Sequence, residues 1–310
     1  MDYESFKEKF VEDVKDKLYE QGAEVSVKVN EVKKLNESYE AMSVTPEDSN
    51  IGVNLPIDKF YGAFEDDRTY EEVVDKAVDV INKGLEQKPE IDVASLTDYS
   101  QMKEKLAMEV VSAEANKDIL ETVPHQNIED MAVVYRFVLN DDTSSILVTN
   151  QLLESMGVTP EQLHADAMAY APQNNPVEIK GMSEVMAEMM GVEQAEIMGF
   201  YPMAPEDEQM YVATVPNKVH GASVIAYQDF MDKAAERAGG DFFILPSSIH
   251  EILIVPDNGK MNLKDLEALV KKVNATQVSP ADKLTDSVYH YDSKAYLFEL
   301  GETFINRKTA

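Results

Sequence analysis

The chain has 310 residues, 44% of them hydrophobic, and its 58 acidic against 28 basic side chains give a formal net charge of -30. That length and apolar content are enough for folded domains with buried cores, while the lack of cysteine excludes disulfides, thiol nucleophiles, iron-sulfur clusters and thiolate-bound zinc. Strong acidity repels phosphate backbones and anionic lipid, so direct nucleic-acid or membrane binding is not expected; the charge suits solubility, and a basic protein is the partner it would attract.

In chain order, Tyr3, Phe6, Phe10, Val14 and Leu18 recur at three- and four-residue spacing and stop at Gly22, which predicts an amphipathic helix with a glycine terminator. AEVSVKVNEV, SYEAMSV and NIGVNLP have the alternating, extended style of a small antiparallel sheet. Thr69 suits the N-cap of a second helix with Tyr70, Val73, Val74, Ala77, Ile81 and Leu85 on one side, ended by the polar stretch EQKPEID. VPHQNIED, with His125, Glu129 and Asp130, reads as a turn before MAVVYRFVL, which pairs with SILVT across Asn140, Asp141, Asp142 and Thr143 in a predicted hairpin. Thr159, Pro160 and Gln162 mark a helix start by cap, first-turn proline and capping box. APQNNP, from Ala171 to Pro176, joins two prolines to amides with no large apolar side chain and predicts a linker.

Met182, Met186, Met189 and Met190 follow at helical spacing, with Met198, Met203 and Met210 in a looser stretch. The stripe reads as the core face of a helix; an adaptable surface for a partner is the alternative. Further on, MYVATV, GASVIAY, FFILP and IHEILIVPDNG predict strands, QDFMDKAAERAGG a helix with a glycine stop, NLKDLEALVKKVN a helix capped by Asn262, and SVYHY with AYLFEL a closing pair. Strands and helices without regular alternation predict an α+β fold, with mixed, mainly antiparallel sheets flanked by helices in two lobes, 1-172 and 177-310. No apolar run approaches the ~20 residues needed to cross a bilayer, and the N-terminal segment lacks a signal-peptide core, so a soluble cytoplasmic protein is expected.

The densest chemistry lies in SSIHE, where Ser247, Ser248, His250 and Glu251 crowd together. Read as a strand, the segment puts Ser248 and His250 on one face and Glu251 on the other, which denies the imidazole the neighbouring acid that a local triad needs. The HExxH zinc signature fails because Ile254 stands where its second histidine belongs. A looser arrangement brings His220, His250 and His290 together with Glu251, Asp257 or Asp286 through the fold. The acidic PEDE stretch from Pro205 lacks the glycine and spacing of a calcium loop. Glycine-rich phosphate loops are absent, so no nucleotide cofactor is expected, and no metal either.

NKVHGASVIAY, FFILPSSIHEILIVPD and VNATQVSPADKLTDSVYHY in the C-terminal half, with VKKLNESYEAMSV, NLPIDKFYGAFEDDRTYEEVV, ANKDILETVPHQNIEDMAVVY and ILVTNQLLESMGVTPEQLHADA before them, resemble domain-of-unknown-function family 5688 over almost the whole chain. The order of elements and VTNQLLESMGVTPEQL bear a fainter likeness to family 1444. The first resemblance implies a bacterial protein and, because that family has no assigned activity, no catalytic residues to transfer. The positions matching its motifs are Asn217, Gly221, Ser247, Ser248, His250 and Glu251; one departure is Pro216 before Asn217, where a Thr-Asn pair is expected.

These features lead to two expectations about function. The first is a non-enzymatic accessory factor that binds a macromolecule, with Asn217, His220, Gly221, Ser247 and His290 as candidate binding residues. The second is a hydrolase with His250 as general base and Ser248 or a bound metal supplying the nucleophile, beside Glu251. A plainer assignment leaves Ser247 and Ser248 holding a turn after Pro246, with Glu251 facing solvent. The sequence fixes neither a partner nor an oligomeric state.

Overall fold

The computed structural model describes residues 1-49, 51-66, 68-86, 98-139, 144-191, 194, 197, 203-204, 207-227 and 229-310. Most of EQKPEID, the hairpin turn at 140-143, Met198 and the first half of PEDE fall outside them. The fold is α+β, and the chain forms two compact units, Met1–Asp92 and Val93–Ala310.

In the first unit, helix α1 (Tyr3–Glu20) buries Phe6, Phe10, Val14 and Leu18, the residues its spacing selects. Gly22 follows with φ 82°, a left-handed conformation that any other residue takes up only with strain. Strands β1 (Val25–Lys34), β2 (Glu37–Pro46) and β3 (Val53–Pro56) form an antiparallel sheet in that order. Helix α2 (Ile57–Glu65) was not foreseen, because it is short and interrupted by Gly62. Helix α3 (Tyr70–Glu86) buries Val73, Val74, Ala77, Val78 and Ile81. Its start is a reciprocal capping box in which the Glu72 carboxylate accepts from the Thr69 N–H at 2.9 Å and Thr69 Oγ1 accepts from the Glu72 N–H at 3.3 Å.

The second unit holds two sheets. Strands β4 (Leu106–Ser112), β5 (His125–Ile128), β6 (Met131–Val138) and β7 (Ser145–Leu147) make the smaller one, with β6 pairing antiparallel to each of the other three. His125 therefore lies in a strand, and the turn is displaced to Glu129 and Asp130. Helices α4 (Asn150–Ser155) and α5 (Pro160–Asn174) follow. At the start of α5, Thr159 caps the Gln162 N–H, but the Gln162 side chain turns to Asp166, so half of the expected capping box forms. The predicted linker differs more: α5 runs through Pro172, buries Ala171, and Asn174 donates to the carbonyls of Glu104 and Leu106 at 2.8 and 3.3 Å.

The larger sheet contains β8 (Glu178–Gly181), β9 (Tyr211–Thr214), β10 (Phe242–Ser248), β11 (Glu251–Pro256), β12 (Tyr289–Asp292) and β13 (Leu297–Leu300), in the order β13-β12-β10-β11-β9-β8 with antiparallel neighbours. Helix α6 (Met182–Met190) follows β8. Met186 is 38% and Met189 82% exposed, and no residue of α6 is buried, so the methionine stripe is not a core face. Helices α7 (Phe230–Ala238), α8 (Leu263–Thr276) and α9 (Gly301–Thr309) belong to the same unit.

Strand β10 is buried throughout, and the pleat divides it between two cores. Phe242 and Ile244 join Val110, Tyr135, Leu163 and Val224 on one side; Phe243 and Leu245 meet Leu266, Val270 and Phe304 on the other. The first of these cores spans both sheets. GASVIA, expected as a strand, instead forms a 3-10 helix over Gly221–Ala226 with Gly221 to Ile225 buried. Burial on all sides erases the alternation by which a strand is told from a helix.

Candidate functional site

SSIHE is the bend of the β10-β11 hairpin. Ile249 and His250 occupy the turn, Ser248 pairs with Glu251 across it, and the register shifts between Leu245 and Ser248. The bend thus comes after the serines, not at Pro246, and His250 does not belong to a strand. Glu251 is exposed and its carboxylate makes no contact with the imidazole among the described residues, so the separation expected from a pleat arises from a turn. Ser247 and Ser248 are buried, at 6% and 7% exposure. Ser248 Oγ accepts the His250 backbone N–H at 3.0 Å and makes no hydrogen bond to the ring. The segment is tied to a neighbouring loop by Ile249 N–H to Asp282 O at 2.9 Å and Leu284 N–H to Ser247 O at 3.1 Å.

His220 comes to this bend from the loop between β9 and the 3-10 helix. Pro216 sits in a turn closed by the Lys218 N–H on Val215 O at 2.9 Å, where its fixed φ suits the second turn position. Asn217 Oδ1 then accepts the Val219 N–H at 3.0 Å. Lys218 and His220 both take the left-handed conformation, with φ 58° and 54°. Gly221 makes this possible: a Cβ there would collide with Thr214 Oγ1 and the His250 carbonyl oxygen, which are themselves hydrogen bonded at 2.8 Å.

The two rings lie 6.0 Å apart between centroids. His250 Nδ1 accepts the His220 backbone N–H at 3.3 Å, which requires a lone pair there; Nε2 then carries the hydrogen toward Asp282 Oδ1, also at 3.3 Å. Ser279 Oγ donates to the other Asp282 oxygen at 2.8 Å. Both nitrogens of His250 are thereby engaged within the protein.

His220 is placed differently. Its Nδ1 is buried and lies 3.0 Å from Oε1 of Glu109, a carboxylate in the middle of β4 that is 2% exposed. The approach is at ion-pair distance but off the line of a good hydrogen bond, so Nδ1 has no well-aligned acceptor. Arg136 on β6 donates its Nε–H to the other Glu109 oxygen. Burial works to raise the pKa of Glu109, yet the His220 ring and the Arg136 charge outweigh it and hold the carboxyl below its ordinary value. An ionised carboxylate accepts only, so it selects the His220 tautomer with hydrogen on Nδ1 and leaves the lone pair on Nε2. Nδ1 is buried, while the His220 side chain as a whole is 30% exposed.

His220 lines a cavity of about 140 Å³ whose polar wall also includes Arg136, Ser145, Asn175, Asn217 and Ser223. Thus Asn217 and His220 of the predicted set line one cavity; Gly221, Ser248 and His250 lie directly behind, with Ser247 anchoring the bend. His290 is elsewhere. It is 1% exposed, stacks on Phe304 at 3.5 Å and faces Asp257 at 3.3 Å; burial dominates the nearby acids and lowers its pKa. Asp286, another proposed companion, accepts instead from Asn274 and Lys283 at 2.7 Å each. Glu109 and Arg136 were missed by sequence reasoning. The one available signal was a lone carboxylate inside the apolar run LAMEVV, since an unpaired charge is not buried without a partner.

Among the described residues no group of three or more His, Asp or Glu side chains converges to hold a metal ion, and no helix is long and apolar enough to cross a membrane. No curated protein matches the chain, and no solved structure does. The fainter likeness to family 1444 finds no support. A family model of unknown function, family 5688, matches residues 3–293, and the chain belongs to that family.

Proposed function

We propose that the C-terminal unit carries an acid-base site for a small molecule, with His220 as proton acceptor, Glu109 fixing its tautomer and Arg136 keeping Glu109 ionised. The burial of Glu109 behind the ring supports this reading, because it commits Nδ1 and leaves Nε2 to a cavity. His250 and Asp282 act one step back as positioning residues, holding the main chain of His220 in its left-handed turn. The hydrolase built on Ser248 and His250 is less well supported, since a nucleophile needs its hydroxyl on the base and Ser248 meets the main chain instead. Acylation by diethyl pyrocarbonate, mapped by mass spectrometry, tests the assignment. His220 is expected to react faster than His250 and His290, and several-fold more slowly in a folded Glu109→Gln variant. An unreactive His220, or a rate indifferent to that substitution, would sink the reading.

A second reading, docking of a macromolecular partner by an accessory factor, draws support from the exposed thioethers of Met186, Met189 and Met203 and from the acidic surface. A basic partner is expected to bind more tightly at low salt. Pull-downs that enrich nothing at either low or high salt would remove it.

A further inference from the structure

We infer that the ligand of the His220 cavity is a small monocarboxylate with a short apolar tail, an inference that rests on the acid-base reading of the same site. Although acidic side chains outnumber basic ones two to one in this chain, no carboxylate is found among the described residues that line the cavity, whose ionisable members are Arg136 and His220. Glu109 stands behind that wall with one oxygen toward each of them. Arg136 spends Nε on Glu109 and directs one terminal nitrogen at Ser145 Oγ, 3.4 Å away, a small part of the five N–H donors in its planar fork. That fork matches a planar carboxylate.

The neutral groups point the same way. Asn217 Oδ1 is taken by the Val219 N–H, which fixes the amide orientation and leaves its NH2 as a donor. Ser145, Ser223 and Asn175 add hydroxyl and amide donors, while Met108, Val138 and Val215 supply an apolar side. With Glu109 already the counter-charge of Arg136, the site offers free guanidinium donors but no net positive charge, which suits a monoanion better than a phosphate dianion. At about 140 Å³ the cavity compares with engineered cavities of roughly 150 Å³ that take benzene, so the ligand is short-chained. A carboxylate held on Arg136 brings the rest of the molecule to the His220 edge.

The test is titration of the full-length isotope-labelled chain with butyrate, butyramide and inorganic phosphate, read at the backbone amides of Asn217 and His220 and at the Arg136 Nε–H. Butyrate is expected to shift them saturably, with butyramide and phosphate at least about tenfold weaker, the scale of one charge-assisted hydrogen bond. Asn217→Asp keeps the acceptor for Val219 but puts a like charge in the cavity, and is expected to weaken butyrate about tenfold or more. Acylation and titration separate this proposal from the one it rests on: acylated His220 without butyrate binding sinks the ligand class alone, and butyrate binding with an inert His220 sinks the acid-base reading alone. No saturable butyrate binding, equal binding of butyramide or phosphate, or indifference to Asn217→Asp each overturns the carboxylate.

Discussion

The two units handle polarity in opposite ways. Among the described residues, the first buries apolar side chains alone: α1 and α3 press Phe6, Phe10, Val74 and Ile81 onto a three-stranded sheet, and its charges stay at the surface. Among the described residues, every buried polar or charged side chain, from Glu109 to Glu299, lies in the second unit, as do the three buried polar atoms without a hydrogen-bond partner and all five histidines. Burying such groups is costly unless they are paired, and a fold bears that cost where the groups have work to do. On the proposed reading, the first unit is scaffold and the second carries the chemistry.

Four measurements sharpen or break that contrast. Phe10→Ala, at a fully buried position among aromatic neighbours, is expected to cost about 4 kcal/mol in denaturant melts, as a core truncation that leaves a cavity. Glu109→Gln is expected to cost about 3 kcal/mol in the second unit by leaving Arg136 without its counter-charge; an unchanged melt would show the pair to be dispensable. Gly221→Ala drives a methyl group into the His250 carbonyl oxygen, which no side-chain rotation relieves, for about 2 kcal/mol and a loss of the His220 amide signal from its native position.

The smallest effect is a pH dependence from His290. Its folded pKa lies below the ordinary value near 6.5, so the unfolded chain takes up the proton first as pH falls. Stability is therefore full above that value and declines below it, by at most about 1.4 kcal/mol per pH unit for one group. His290→Phe should flatten the histidine step between wild type and variant; a step of equal size in both would show that another group titrates there.

The same contrast explains what could be read from the sequence. Amphipathic elements with one wet side, such as α1 and α3, announce themselves through period and caps, since water and core impose different residues on their two faces. Elements wrapped by protein give no such signal, and GASVIA passed for a strand on its β-branched residues alone. APQNNP was misread for a related reason: its polar residues suggested a linker, but Asn174 serves the main-chain carbonyls of Glu104 and Leu106 from inside a helix. In the candidate site, His220 stood out by residue type and Asn217 by its place in the family resemblance. Their partners did not, because Glu109 is 111 positions from His220 and only the packing of two sheets brings them together. SSIHE attracted notice for its density of reactive groups, yet Ser248 and one nitrogen of His250 prove to accept from backbone N–H groups.

The uncovered stripe of α6 has a separate consequence. In a protein without thiols, the side chains of Met186 and Met189 stand open to peroxide while those of Met42, Met102 and Met131 are buried in cores. Mild oxidation should therefore convert the outer thioethers to sulfoxides first and leave the fold intact, turning a greasy ridge into a polar one that sulfoxide reductases can restore.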